Sequence, residues 1–202
     1  MRASRENTMY QVIGETYSRA SRVTWMLEEL GQPYEQIKVS PHSSEAYEHN
    51  PSGKIPALKE GDVVLTDSTA ILTYLADKHG GMTYPAGTIE RARQDGLTNM
   101  ILDELDAVLW TGARHSFILP KDKRMPEVKE SLKWEFARNC DRLADRLEGP
   151  FLMGDKMTIP DIIAVHCLNW AFSAKFPLEN EKLLAYSKEM RAREAFKRAM
   201  SN

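Results

Sequence analysis

Three short stretches of this 202-residue chain carry side chains whose types and spacing suggest chemistry. "YSRASR" (17–22) brings the hydroxyls of Tyr17, Ser18 and Ser21 to the start of a helical pattern, directly after a strand-like run. A hydroxyl and backbone amides at such a start favour an anion, and a thiolate held near Ser18 gains from hydrogen bonds and from the helix dipole. "LTDST" (65–69) sets Asp67 and Ser68 at a second strand-to-helix turn. The helix start beside Ser68 suits a carboxylate and Asp67 suits an ammonium, so an α-amino acid head group would satisfy both. In "NPSGKIPAL" (50–58), Pro56 has no N–H for a ladder, which puts it at the very start or edge of a strand. A cis Ile55-Pro56 bond would turn the Ile55 N–H and C=O outward, where an extended peptide-like ligand can pair with them as an added strand. Lys54 supplies one mobile positive charge beside it. Each stretch also has a plainer account. Ser18 and Asp67 are good helix caps, and Lys54-Pro56 reads equally as an edge-strand proline with a solvent-facing lysine.

The elements that must position these residues change in kind along the chain. "YQVIGE" (10–15) and "PYEQIKVS" (33–40) are strand-like, and between them Val23, Met26, Leu27 and Leu30 recur at helical spacing. Gly31 and Pro33 end that helix. "SSEAYEHN" predicts a short helical turn. "PALKE" and "VVLTD" flank Gly61-Asp62, a hairpin signal, and a helix follows from the Asp67 cap to Gly80. From about residue 89 no stretch resembles a strand. Leu97, Ile101, Leu105 and Val108 keep helical spacing, as do Val128, Leu132, Phe136, Cys140, Leu143 and Leu147. Residues 162–170 are apolar nearly all round, as in a central buried helix, and Thr158, Pro160 and Asp161 specify its start as a capping box. "EKLLAYSKEMRAREAFKRAM" reads as one last basic amphipathic helix. The expected organisation is a flexible extension at 1–8, an α/β domain at 9–80, a Gly/Pro/Thr-rich linker at 81–88 and an all-helical domain at 89–202.

Composition narrows the function classes. Charged residues are 28% and hydrophobic ones 42%, as in a globular protein with a real core. The net charge of −2 gives no global field for nucleic acid or an anionic membrane. No apolar run is long enough to span a bilayer, and "MRASRENT" lacks the apolar core of a secretory signal. Cys140 and Cys167 form no C-x-x-C pair, and no metal pattern with the five histidines is visible in the spacing. A cytoplasmic protein with two reduced thiols and no metal is expected.

Taken in order, "YSRASRV…LEELG", "NPSGKIPAL" and "LTDSTAILTYLADKHG", followed by an all-α half, resemble a glutathione transferase of the soluble, dimeric superfamily, of theta-like or bacterial serine type, over residues 9–202. The resemblance implies an α/β thioredoxin-like domain with a cis-proline, an all-α C-terminal domain, a homodimer, and glutathione lying extended along the first domain as co-substrate. Ser18 would donate its hydroxyl to the glutathione sulfur, with Tyr17 and Ser21 as alternatives. Ile55, ahead of cis-Pro56, would pair with the cysteinyl backbone. Asp67 and Ser68 would hold the γ-glutamyl head, and Lys54 and His42 the glycyl carboxylate. Trp110, Arg114, His115 and Phe117, in "LWTGARHSFILP", would line the pocket for an apolar electrophile. No cysteine lies near residue 18, which sets the chain apart from branches with thiol–disulfide exchange chemistry. The implied function is detoxifying conjugation of small electrophiles, with glutathione peroxidase activity as an extension. A non-catalytic binder of glutathione or apolar ligands, and a protein-docking module, are the alternatives on the same fold.

Overall fold

The computed structural model describes residues 9–201, so the extension proposed at 1–8 lies outside the described residues. These residues divide into two compact units, 9–80 with 194–201, and 81–193. The first unit alternates strands and helices: β1 (Tyr10–Ile13), α1 (Ala20–Glu29), β2 (Tyr34–Ile37), α2 (Ser44–His49), β3 (Ala57–Glu60), β4 (Val63–Thr66) and α3 (Ser68–His79). Its sheet runs β2-β1-β3-β4. β1 and β2 are parallel, as the α1 crossover requires, and β3 and β4 are antiparallel neighbours joined by the Gly61-Asp62 turn. Val12, Ile13 and Leu58 are fully buried, and so are Val23, Met26 and Leu27 of α1 and Ile71, Leu72 and Leu75 of α3.

The second unit is helical. It contains α4 (Ile89–Ile101), α5 (Ala107–Ala113), α6 (Val128–Arg146), α7 (Ile159–Ser173) and α8 (Glu181–Ala192). Two five-residue π-helical turns interrupt the first long helical stretch, Leu102–Asp106 before α5 and Arg114–Ile118 after it. Spacing alone predicts an unbroken helix here, because Ile101, Leu105 and Val108 stay buried through the first π turn. At the start of α7 the Asp161 carboxylate accepts from the Thr158 N–H (2.8 Å), the Leu152 N–H (2.9 Å), the Tyr186 hydroxyl (2.7 Å) and the Thr158 hydroxyl (3.2 Å). Burial pushes that carboxyl above its ordinary value, against the pull of the four donors. No helix among the described residues is long and apolar enough to cross a membrane.

Two details differ from the expected organisation. The last basic stretch is two helices, α8 and α9 (Glu194–Ser201), and α9 belongs to the first unit. Its inner stripe packs on α1: Phe196 meets Trp25 edge to face at 4.9 Å, Ala199 is buried, and Arg198 pairs with Glu28 at 2.6 Å. The break falls at Arg193, which is extended, and no glycine or proline there announces it. The stretch 81–88 is no loose linker either. Thr83 is buried against Gln94 (3.1 Å), its carbonyl accepts from Lys156 (2.6 Å), and the Met82 carbonyl accepts from the Ile159 N–H (3.0 Å), all within the second unit.

Candidate functional site

Ladder register explains how distant stretches of sequence meet in the first unit. Ile37, Ile13, Ala57 and Thr66 form one row across the four strands. β1, β2 and β4 leave the sheet at this row and β3 enters at it. Residues 14–18, 38–42, 54–56 and 67–68 therefore all lie beyond the same end of the sheet. Two direct contacts tie them together. Gly14, at φ 142°, is so closely packed that a Cβ there would sit 3.0 Å from the Ala20 Cβ and 3.2 Å from the Ile55 Cβ. The buried Arg22 guanidinium reaches from α1 to the Ser68 hydroxyl, Nη1 to Oγ 3.4 Å.

The turn before α1 is wound tightly. Ser18 donates its hydroxyl to the Glu15 carbonyl at 2.6 Å, and its oxygen accepts from the Ala20 N–H at 3.1 Å. The Ser18, Ser21 and Arg22 amides donate to the Glu15, Ser18 and Arg19 carbonyls. The sequence suggests that these amides are open to an anion. Instead they are consumed locally, because Arg19 is already helical (φ −62°, ψ −7°) and the chain coils before α1 proper. Ser21 turns its hydroxyl to the Ser18 carbonyl (2.9 Å), and Tyr17 is 91% exposed. Tyr10 is engaged elsewhere, its hydroxyl 2.9 Å from His79 Nε2.

The Ile55-Pro56 bond is cis. Strand pairing begins at Ala57, so half-buried Ile55 stands outside the ladder. Asn50 shapes the loop before it. Its side-chain oxygen accepts from the Ser52 amide (3.0 Å) and hydroxyl (2.9 Å), and its amide donates to the Lys54 carbonyl (2.8 Å). Gly53 is required: at φ 64° a Cβ would lie 2.7 Å from the Tyr47 ring and 2.9 Å from His42 Nδ1. His42 is exposed at φ 62°, and its N–H donates to the Gly53 carbonyl at 2.7 Å. His42 thus braces the loop that presents Lys54. At α3, Asp67 (φ 67°, ψ 123°) accepts the Thr69 and Ala70 amides on Oδ1, at 2.9 and 3.3 Å. A positive φ at a non-glycine residue costs about 1–3 kcal/mol and concentrates at functional sites. Ser68 beside it is buried.

Sequence reading missed three positions here. Arg22, Asn50 and Gly53 build the site without offering obvious chemistry. The Asn-Pro-x-Gly turn pattern was a usable signal for the last two, whereas a buried arginine under a helix start leaves no local trace.

The four proposed electrophile-side residues lie in the second unit. Trp110 is half-buried on α5. Arg114 donates to the Thr111 hydroxyl (3.1 Å), His115 Nδ1 accepts from the Met125 N–H (3.1 Å), and Phe117 is 65% exposed. Held this way, His115 has only Nε2 left for another partner.

A cis-proline ahead of the third strand, a capped helix start beside it and a helical unit after it define a transferase fold built on a thioredoxin-like sheet. The chain belongs to the glutathione S-transferase family: the family's N-terminal domain matches residues 14–83 and its C-terminal domain residues 105–194. A glutathione S-transferase of Triticum aestivum is 28% identical over 181 residues, 85% of this chain and 84% of that protein. Human glutathione S-transferase theta-2 is 31% identical over 143 residues, which is 64% of this chain but 55% of that protein's length. Among solved structures, a glutathione transferase from Methylococcus capsulatus superposes with a TM-score of 0.83 at 28% identity, covering 96% of this chain and 98% of that one.

Proposed function

We propose that this chain binds glutathione at the end of the sheet formed by residues 14–18, 54–56 and 67–68, and activates its thiol for attack on small electrophiles. The observation that carries this reading is the shared ladder row, which gathers four sequence-distant loops at one place. Ile55 pairs with the cysteinyl backbone, Asp67 and Ser68 take the γ-glutamyl head, Lys54 and His42 the glycyl carboxylate. Ser18 is the catalytic hydroxyl, in a theta-like serine type that the likeness to human theta-2 supports. Trp110, Arg114, His115 and Phe117 serve the electrophile. The enzyme works as a cytoplasmic homodimer in detoxification, and the same thiolate reduces organic hydroperoxides.

Lowering a thiol pKa from near 8.5 by about two units requires about 2.7 kcal/mol of preferential thiolate binding. A hydroxyl has one proton to give, and that of Ser18 rests on the Glu15 carbonyl. On binding, it exchanges this neutral bond for a charge-assisted one to sulfur, worth about 1.5–3 kcal/mol. The hydroxyl carries most of the activation, since the local amides are engaged in the turn. That engagement of the Ser18 proton also favours a second reading, a glutathione-binding protein without turnover.

An NMR titration with reduced glutathione, followed by turnover assays on an activated aryl halide, an epoxide and an organic hydroperoxide, separates these. Shifts at residues 14–18, 54–56 and 67–68 with turnover are expected. Shifts without turnover select the binder, and no shifts at these residues overturn both.

A further inference from the structure

Within the second unit, Asp106, His166 and Cys167 bring a carboxylate oxygen, an imidazole nitrogen and a thiol sulfur to within 4.8 Å of one another. We propose that this triad is a binding site for a zinc-class divalent ion, pinning the π turn Leu102–Asp106 to α7. The proposal is independent of the glutathione reading.

The donor set is the first argument. Cysteine, histidine and aspartate are the zinc ligands, and three protein ligands leave a fourth tetrahedral position for water. With metal–ligand bonds of about 2.0–2.3 Å, tetrahedral ligand atoms stand about 3.3–3.8 Å apart. Asp106 Oδ2 and Cys167 Sγ are already 3.8 Å apart. Closing the triad around an ion asks for about 1 Å of movement at most, within the reach of a side-chain rotation.

Placement is the second argument. His166 and Cys167 follow directly on residues 159–165 of α7, which are buried throughout. Asp106, also buried, is the last residue of the π turn, which packs against α7. An inserted π residue shifts the following helix face by about 100°, and such turns recur at functional sites. Here the shift falls at the residue that faces Cys167. His166 is half-buried, which leaves the ion a way in from its side. The residues are far apart in sequence, 106 against 166 and 167, so no spacing motif shows the set.

Binding is balanced as an exchange. The Cys167 thiol releases one proton to the buffer, the S–metal bond forms, and the neutral imidazole and the Asp106 carboxylate complete the protein ligands. Affinity therefore rises with pH.

The test is a Co²⁺ titration of the full-length, tag-free, reduced protein after chelator dialysis. Expected are a one-to-one end point, a thiolate-to-cobalt charge-transfer band, intense visible bands of tetrahedral cobalt, and bleaching of both by Zn²⁺. Cys167→Ser should remove the charge-transfer band, and His166→Gln should weaken binding at least tenfold. Cys140→Ser should retain both, because burial pushes the Cys140 thiol up to about 12 and it has no partner ligands in the triad. Should Cys167→Ser not fold, Cys167→Ala takes its place, with circular dichroism as the check. Absence of the bands in the unmodified protein, or their survival in the Cys167 variant, overturns the site.

Discussion

Two helices, one in each unit, start with the help of an aspartate that accepts backbone amides, as the N-cap Asp67 of α3 and as the third residue, Asp161, of the Thr158 capping box of α7, and they use it in opposite ways. Asp161 at α7 is fully buried and both its oxygens are saturated, Oδ1 by Leu152 and Tyr186 and Oδ2 by Thr158 twice. Asp67 at α3 is exposed and spends Oδ1 on the Thr69 and Ala70 amides, and its backbone holds a costly positive φ to do so. The first carboxylate is a folding device with nothing left to give. The second is exposed and uses only one of its oxygens for capping, at the end of the sheet where the other candidate residues gather. Ser18 stands between these extremes, with a proton committed to the Glu15 carbonyl, a partner that a ligand can displace. The same residue type at a helix start is thus structural or chemical according to what remains after its amides are satisfied.

The comparison breaks first at Asp161. Asp161→Ala strips an acceptor from four donors in a buried setting, and each orphaned donor carries a desolvation penalty of about 1–3 kcal/mol, softened by relaxation and water entry. A loss of about 3–5 kcal/mol in urea unfolding is expected, against a total stability of about 5–15 kcal/mol for an ordinary domain. A loss under about 1 kcal/mol would mean that the capping box does not hold α7.

Ser18→Ala comes next and acts on chemistry. Losing a hydrogen bond to a charged sulfur costs about 1.5–3 kcal/mol, or about 10- to 150-fold in kcat/KM. The pKa of bound glutathione, read from the pH dependence of kcat/KM, should rise by about one to two units, while retention on immobilised glutathione stays largely intact. Full activity in the variant would remove Ser18 from the mechanism and hand the role to Tyr17 or Ser21.

How much of this was legible follows the range of the forces involved. The caps at Asp67 and Thr158, the Gly61-Asp62 hairpin and the Gly80 helix end are local, and the structure has all of them. The convergence of 14–18, 54–56 and 67–68 depends on strand register, which the alternating pattern only constrains. The family likeness of the motifs implies it, and periodicity does not. The break at Arg193 and the docking of α9 on α1 rest on tertiary packing of Trp25 and Phe196, which no residue near 193 signals. The first π turn was invisible because Ile101, Leu105 and Val108 keep ordinary helical spacing in the sequence and are all buried. The tight coil before α1 was misread for a related reason. Ser18 looks like a cap in sequence, but whether the amides beyond it stay open depends on the conformation of Arg19.

The smallest effect is the most diagnostic of the contrast between the two aspartates. Asp67→Asn keeps a good capping side chain, one that tolerates positive φ, and removes the charge. Stability should change by under about 0.5 kcal/mol, since the Thr69 and Ala70 amides still find an oxygen. The ion pair proposed between Asp67 and the γ-glutamyl ammonium, worth about 1 kcal/mol at an exposed site, would be lost. Glutathione Kd should therefore weaken about fivefold by calorimetry, with kcat at saturating glutathione unchanged. The weakening should shrink as salt is raised, because a solvent-exposed charge pair is screened. If the variant loses stability and leaves Kd untouched, Asp67 is a cap alone, and the difference between the two helix starts is one of burial and not of function.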